Sequence, residues 1–426
     1  MGDDPYQEAS ADALDLALWH TAAYAPWRTL DPGLGASLDE RYAALPVTDK
    51  AFMRAAFPKG LVPDGKNLDA GLRSGQVEFV PTSGTTDEQI TNVWNQRWWD
   101  FSERQSWTLN GALSALLGDH PREAILTSAR NVGFLSDGRE LPFEERTLGR
   151  LLYLNERSTP LLWDDGTITR MAAELERHSP RILEANPSYL AAFARKAARL
   201  GCAVPEPDVI VFTYENPSLL HLSQIRQVFR APLVSSYGTT EAGYILMQCE
   251  CGTHHLNAAS CRVDFEPLRG AHEDVGLLRV TPFGNEWVSL LRYDPGDVVR
   301  RRSSGPCPCG RDSAFLADVV EGRVKSLTRS MEGRPVTQGE LDRCLAAEGS
   351  LVTYQLLQEG EGRYALRAVL REAGGKGAPD RLRDALLTLY GPSARVAVDA
   401  CTELAPEASG KYLLAKTVAP ADGARP

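Results

Sequence analysis

The sequence has no stretch of about 18 consecutive apolar residues, so no membrane-spanning helix is expected. Positive charge is in deficit: 46 Lys+Arg stand against 56 Asp+Glu, a net charge of −10. That balance argues against a broad nucleic-acid surface and against attachment to anionic lipid, though a nucleotide cleft can still be locally positive. The N-terminus, Met1-Gly2-Asp3-Asp4-Pro5, is acidic and has no apolar core, so it does not read as a signal peptide. Cysteine is too sparse for a disulfide scaffold, with 8 in 426 residues. Reduced cysteines in the cytoplasm, four of them grouped at one metal site, are the expectation.

What is present is a chain long enough for two or three domains and a large core. Its 43% hydrophobic and 24% charged content is ordinary for a soluble globular protein. Residues 8 to 60 read as short helices broken by Pro26, Pro32, Pro46 and Pro58. Val77 to Val80 and Ala124 to Thr127 read as strands. Trp98 to Leu117 reads as a helix with Phe101, Trp107 and Leu109 on its apolar side, and Ile168 to Leu200 as helical patterns interrupted at Asn186-Pro187-Ser188. Asp208 to Phe212, Leu219 to Phe229 and Pro232 to Ser235 give a strand–helix–strand rhythm, which implies an α/β core with a mostly parallel sheet. After about residue 260 short alternating strands predict an antiparallel subdomain: Gly276 to Thr281, Trp287 to Leu291 and Asp297 to Arg300. Beyond Glu321-Gly322-Arg323, strands and helices alternate again, as in a small α+β lid. The predicted division is residues 1–320 and 321–426, with a zinc subdomain at about 245–312.

Four polar elements stand in order along this frame. Pro81-Thr82-Ser83-Gly84-Thr85-Thr86 places four hydroxyls around one glycine just after a predicted strand. Glycine permits a tight backbone, and hydroxyls and N–H groups bind phosphate oxygens. Ser236-Tyr237-Gly238-Thr239-Thr240-Glu241 offers an aromatic face, hydroxyls and a carboxylate, a hard ligand for Mg²⁺. Arg292-Tyr293-Asp294-Pro295-Gly296-Asp297 closes on a carboxylate that can accept two hydrogen bonds. Ser409-Gly410-Lys411 places a cation near the end of the chain. Each has a plain alternative: a Ser/Thr-rich turn, a strand-to-helix turn, a Pro-Gly-Asp turn and a surface lysine.

A second signal is a matched pair of Cys-x-Cys-Gly knuckles, Cys249-Glu250-Cys251-Gly252 and Cys307-Pro308-Cys309-Gly310, with His254 and His255 just beyond the first. Four Cys or His ligands make a closed, structural zinc site. Buried thiols without metal are the alternative.

Together these elements resemble the adenylate-forming (acyl-CoA synthetase-like) superfamily, and the knuckles resemble those of its phenylacetate–CoA ligase-like branch. The resemblance spans roughly residues 75 to 415 and implies an α/β fold: a large N-terminal domain with mostly parallel sheets plus an antiparallel subdomain, and a small α+β C-terminal lid. It implies that Thr82, Ser83, Gly84, Thr85 and Thr86 meet phosphate, that Tyr237 flanks adenine within the Ser236, Gly238, Thr239 segment, and that Thr240 contacts phosphate. It further implies that Glu241 binds Mg²⁺, that Asp297 holds the ribose, that Arg323 faces ribose or phosphate, that Lys325 is the hinge, and that Lys411 reaches the attacking carboxylate and the α-phosphate. By the same resemblance the zinc ligands are one of Cys249 and Cys251, together with His255, Cys307 and Cys309. An arrangement with all four Cys as ligands stays open.

The implied activity is ATP-dependent conversion of a carboxylic acid to an acyl-adenylate with release of pyrophosphate, then transfer to a thiol. ATP, Mg²⁺ and structural Zn²⁺ are the implied ligands, and coenzyme A is the default acceptor, with a carrier protein or an amine as alternatives. This chain departs from the family where the phosphate loop ordinarily continues with Gly, Pro and Lys, since Asp87-Glu88-Gln89 follow instead. It departs again at Thr213-Tyr214-Glu215-Asn216, where relatives carry small residues before the Glu. The first departure favours the competing reading of a degenerate adenylate-binding scaffold. A zinc hydrolase would need an open metal position.

Overall fold

The structure is a computed structural model and is described for residues 4–82, 90–371 and 377–417. Its N-terminal helices α1 (Pro5–His20), α2 (Leu38–Ala43), α3 (Lys50–Ala56) and α4 (Leu68–Ser74) are short and carry side-chain caps from Asp4, Ser37, Asp49 and Asn67. They pack as one cluster with the antiparallel half of the main sheet, through Leu14, Tyr42, Met53 and Leu68. A separate two-stranded ribbon pairs β1 (Glu78–Pro81) with β2 (Thr91–Trp94).

The main sheet has twelve strands. Its parallel run comprises β3 (Glu123–Leu126), β5 (Leu151–Tyr153), β6 (Ile182–Ala185), β7 (Val209–Phe212) and β8 (Leu233–Thr239), with the two-residue β4 (Thr147–Leu148) at its edge. The antiparallel run continues the same sheet through β9 (Gly243–Gln248), β10 (His254–Leu256), β11 (Cys261–Pro267), β12 (Val275–Pro282), β13 (Asp297–Arg301) and β14 (Leu316–Arg323). The spatial order is β11-β12-β13-β14-β10-β9-β8-β7-β6-β3-β5-β4. The antiparallel part is therefore continuous with the parallel core.

Helices cover both faces of the parallel run, as near-continuous apolar strands require. On one face α5 (Gln96–Trp107) and α6 (Gly111–Ser114) meet Ile182, Val209, Val211 and Val234. Past the short α7 (Ala129–Val132), the other face carries α8 (Asp165–His178), α9 (Pro187–Leu200) and α10 (Leu219–Ile225) over Leu183, Ile210 and Phe212.

Three local expectations are corrected. Residues 182–185 form a strand between two helices rather than part of a helical pattern. Trp287 to Leu291 is a loop: the N–H groups of Trp287 and Val288 donate to Asn285 Oδ1 at 3.0 and 3.2 Å instead of to a ladder. Phe101 is 47% exposed, and α5 turns Trp98 and Trp107 inward.

The C-terminal domain begins with the ribbon β15 (Thr328–Arg329) and β16 (Pro335–Val336), followed by α11 (Gln338–Leu345), β17 (Leu351–Gly360), β18 (Arg363–Leu370), α12 (Ala378–Tyr390), β19 (Arg395–Cys401) and β20 (Ala415–Thr417). Its sheet order is β19-β18-β17-β20, over a core of its own that Leu220 of α10 joins. Two more contacts seat it on α10: Leu219 N–H donates to Asp342 Oδ2 at 2.7 Å, and Gln224 Nε2 donates to the Val352 carbonyl at 2.7 Å. At the junction, the buried Glu321 accepts from Arg300 of β13 and from Thr337 and Arg343 of the C-terminal domain. Among the described residues no helix is long and apolar enough to cross a membrane.

Candidate active site and metal cluster

Strand β8 ends in Tyr237-Gly238-Thr239 at the carboxyl edge of the parallel sheet, where α/β sheets place their ligands. At Gly238 the chain passes so close to β9 that a Cβ would lie 3.1 Å from Tyr244 Cα, with the Gly243 carbonyl oxygen closer still. Only glycine fits there. The turn then buries Glu241, 5% exposed, where its Oε1 accepts from Tyr293 Oη at 2.8 Å. Thr239 Oγ1 accepts from Ala242 N–H at 3.0 Å, and the Thr240 carbonyl accepts from Asn92 Nδ2 of β2 at 3.0 Å. That last bond ties the ribbon to this turn. Thr82 and Ile90 close the neck of the first loop through bonds of 2.8 and 3.2 Å. Ser83, Gly84, Thr85 and Thr86, with the unusual Asp87-Glu88-Gln89, lie outside the described residues.

Asp297 opens β13, after a turn in which Gly296 has φ +76° and donates to Asp294 Oδ1 at 2.8 Å. Its carboxylate accepts from Tyr237 Oη at 2.9 Å and from Arg323 Nε at 3.0 Å. The pairing of β13 with β14 sets Asp297 opposite Arg323. Two segments the sequence keeps 26 residues apart are thus one side-chain cluster. Lys325 follows in a short 3-10 turn at Val324–Ser326.

Lys411, from the C-terminal domain, lies within electrostatic range of this cluster. Gly410 has φ +81° and fits against the large domain so closely that a Cβ would sit 2.6 Å from Ser128 Cβ and 3.1 Å from Tyr189 Oη. The next residue is held as well: Tyr412 N–H donates to Glu215 Oε1 at 2.7 Å, while Ser188 Oγ donates to Glu215 Oε2 at 2.7 Å. Burial, and then Arg323, lower the Lys411 pKa from its ordinary value, with Glu215 and Asp297 opposing them. Arg323 and Lys325 on one hand, and Glu215 and Asp297 on the other, set the field around this ammonium. Sequence reasoning passed over this docking role of Glu215. Its trace was the Glu retained in an otherwise altered Thr213-Tyr214-Glu215-Asn216 segment. Asn186 is the N-cap of α9, accepting from Ser188 N–H at 3.0 Å.

The knuckles meet at the far end of the β9–β10 hairpin. Donor atoms of Cys249, His255, Cys307 and Cys309 all lie within 4.8 Å of one another. Cys249 and Cys307 sulfurs are 3.6 Å apart, and Cys309 Sγ is 3.3 Å from His255 Nε2. Around a tetrahedral zinc with ordinary bond lengths, S···S and S···N edges would be about 3.8 and 3.5 Å, so the donor set fits that ion. Cys251 is exposed at the hairpin tip and outside the cluster, donating its N–H to Cys249 Sγ at 3.4 Å. Of the five candidate ligands, Cys251 is the one that this cluster of donors leaves out. His254, on the opposite side of β10, is also outside the cluster.

No family model matches the sequence, and no curated protein matches it. Solved structures do. One is 2-hydroxyisobutyryl-CoA ligase in the postadenylation state with R3-HIB-AMP: 14% identity, 98% of this chain and 89% of that one covered, TM-score 0.67. The chain shares its fold with that ligase. The same ligase in its thioesterification state, with 2-HIB-AMP and CoA, gives a TM-score of 0.54 at 16% identity over 97% of this chain and 89% of that one. An anthranilate CoA ligase in complex with anthranoyl-AMP matches at 12% identity over 79% of this chain and 65% of that one, TM-score 0.52. The amide bond synthetase McbA from Marinactinospora thermotolerans matches at 13% over 79% and 67%, TM-score 0.51.

Proposed function

We propose that the protein activates a carboxylic acid with ATP and hands the resulting acyl group to a thiol. The observation that carries this reading is the meeting of Lys411, Asp297, Arg323 and Tyr237 at the carboxyl edge of the sheet, in a chain with this fold. In this reading a carboxylate oxygen of the substrate attacks the α-phosphorus of ATP. The P–O bond to the β-phosphate breaks, and pyrophosphate leaves. Lys411 balances charge developing around that phosphorus, Asp297 holds the ribose hydroxyls, and Tyr237 borders the base. Positioning and charge balance account for most of the rate in such transfers.

Glu241 is the carboxylate suited to hold Mg²⁺: it is buried beside the Thr239–Thr240 turn, and Tyr293 fixes one of its oxygens. The ion would supply neutralisation of phosphate charge. The Cys249, His255, Cys307, Cys309 cluster is read as a closed structural zinc site, with no open position for catalysis. Its presence supports the phenylacetate–CoA ligase-like branch of the superfamily.

In the second half-reaction a thiol sulfur attacks the acyl carbonyl, loses its proton, and AMP departs. Coenzyme A is the proposed acceptor, because two of the solved relatives are CoA ligases. The C-terminal domain, from about residue 321, is the moving lid, with Lys325 at its hinge. The docked Gly410–Tyr412 segment and the better superposition on a postadenylation structure support an adenylation-side arrangement here.

ATP–pyrophosphate exchange with Mg²⁺ across a panel of acids, with no acceptor added, tests the reading. Exchange with at least one acid is expected, and Lys411→Ala should abolish it while retaining thioester formation from supplied acyl-adenylate. Equal loss of both half-reactions, or of neither, would refute the role given to Lys411.

A further inference from the structure

The α5-side face of the parallel sheet is polar where its strands end. Ala124, Leu126, Leu183, Ala185, Ile210 and Phe212 point into the opposite core. By strand alternation Thr127, Glu184 and Thr213 face α5. Glu184 Oε1 accepts from Thr213 Oγ1 at 2.9 Å and is also hydrogen-bonded by the Tyr214 hydroxyl. Tyr214 holds φ +69°, an uncommon conformation for a bulky residue and one that marks functional segments. From α5, Glu103 Oε1 accepts from Tyr244 Oη at 2.8 Å, and the Trp99 ring lies 4.9 Å from that of Tyr244.

Glu103, Glu184, Tyr214 and Trp99 are all half-buried, so they wall a crevice rather than fill a core. Glu103 and Glu184 are close enough to repel. Burial, and for Glu103 the nearby Glu184, raise both carboxyls to about 7. Arg150 pairs with Glu123 at 3.4 Å and, more weakly than burial and Glu184 push the other way, favours the charged form of Glu103. Separate signs of a missing partner flank the glutamates. Thr127, 2% exposed just past β3 on the same face, has a hydroxyl with no hydrogen-bond partner; the Ser236 hydroxyl, midway along β8, also has none. The crevice adjoins the reaction centre through Tyr214, whose neighbour Glu215 holds Tyr412 beside Lys411.

We propose that this crevice is the acyl subsite and that it selects carboxylic acids bearing a cationic nitrogen, which Glu103 and Glu184 flank. The proposal rests on the adenylating reading above. A neutral aryl or alkyl group would cover two carboxylates without compensating either, which is unfavourable. An ammonium supplies hydrogen-bond donors and charge to both.

Acyl-sulfamoyl adenosines, unreactive mimics of the adenylate, test the idea in calorimetric titrations against the full chain. Matched pairs would be 4-aminobutyryl with pentanoyl, 6-aminohexanoyl with heptanoyl, and 4-(aminomethyl)benzoyl with 4-ethylbenzoyl. At least one amine-bearing member should bind about tenfold or more tightly than its neutral partner, as a charge-assisted contact predicts. Glu184→Gln and Glu103→Gln, which keep shape, should each collapse that ratio. If every pair binds with equal affinity, or the neutral member binds better, the proposal is overturned while the adenylating reading stands. If no sulfamoyl adenosine binds, both are overturned. Should the Gln variants fail to fold, the wild-type ratios alone decide.

Discussion

Replacing Gly410 by alanine should impair adenylation selectively, because the docked loop has no room for one methyl group. At φ +81° an L-residue costs about 1–2 kcal/mol. The new Cβ would also lie 2.6 Å from Ser128 Cβ, well inside van der Waals contact. Overpacking of that kind costs roughly 1–3 kcal/mol. Both terms fall on the docked loop, and an undocked loop is free to relax. The docked state should therefore lose about 2–5 kcal/mol, which is roughly 30-fold to several thousand-fold in population. ATP–pyrophosphate exchange by Gly410→Ala should drop by at least that lower factor, with thioester formation from supplied acyl-adenylate much less affected. Adding Ser128→Gly should return the contact share but not the backbone share, giving partial rescue in a double-mutant cycle. Exchange within about threefold of wild type, or equal loss of both half-reactions, would refute the claim that this contact defines the adenylating arrangement.

Three further outcomes are expected. Cys307→Ser should remove zinc from the purified protein and lower its first unfolding transition by several degrees, since metal binding is coupled to folding. Cys251→Ser should leave about one zinc per chain; metal analysis that finds Cys251 essential would overturn the ligand set. In the C-terminal domain, hydrogen bonding to Arg381 lowers the Glu348 pKa to about 2. A depressed carboxylate contributes stability that is present above its unfolded pKa and lost as pH falls through the folded one. Arg381 is 55% exposed, so the contribution is about 1 kcal/mol. Glu348→Gln should flatten acid unfolding between about pH 5 and 2; an unchanged profile would rule the pair out as a contributor.

What the sequence disclosed and what it hid divide along a physical line. Tyr237, Glu241, Asp297 and Lys411 stood out because each lies in or beside a short segment whose glycine and polar content cannot serve a packed interior. Those side chains were legible one loop at a time, as was the matched pair of knuckles. Residues whose meaning depends on a partner far along the chain were not. Glu215 acquires its role from the backbone of Tyr412, and no pattern within its own segment announces that. Cys249 and Cys251 sit in a knuckle equivalent by sequence to that of Cys307 and Cys309, yet the hairpin exposes Cys251 at its tip. The strand β6 was hidden because four residues between two helices carry too little periodicity to separate from them. The same line explains the crevice. Glu103 lies in α5, Glu184 in β6 and Tyr214 beyond β7, and each alone reads as an ordinary polar residue near an element end. Folding sets the two carboxylates on facing elements, with Arg150 acting on Glu103 but paired to Glu123, and burying like charges together is unfavourable unless a partner arrives. A site of this kind can be recognised only after the chain is folded, and what it lacks defines the ligand it should bind.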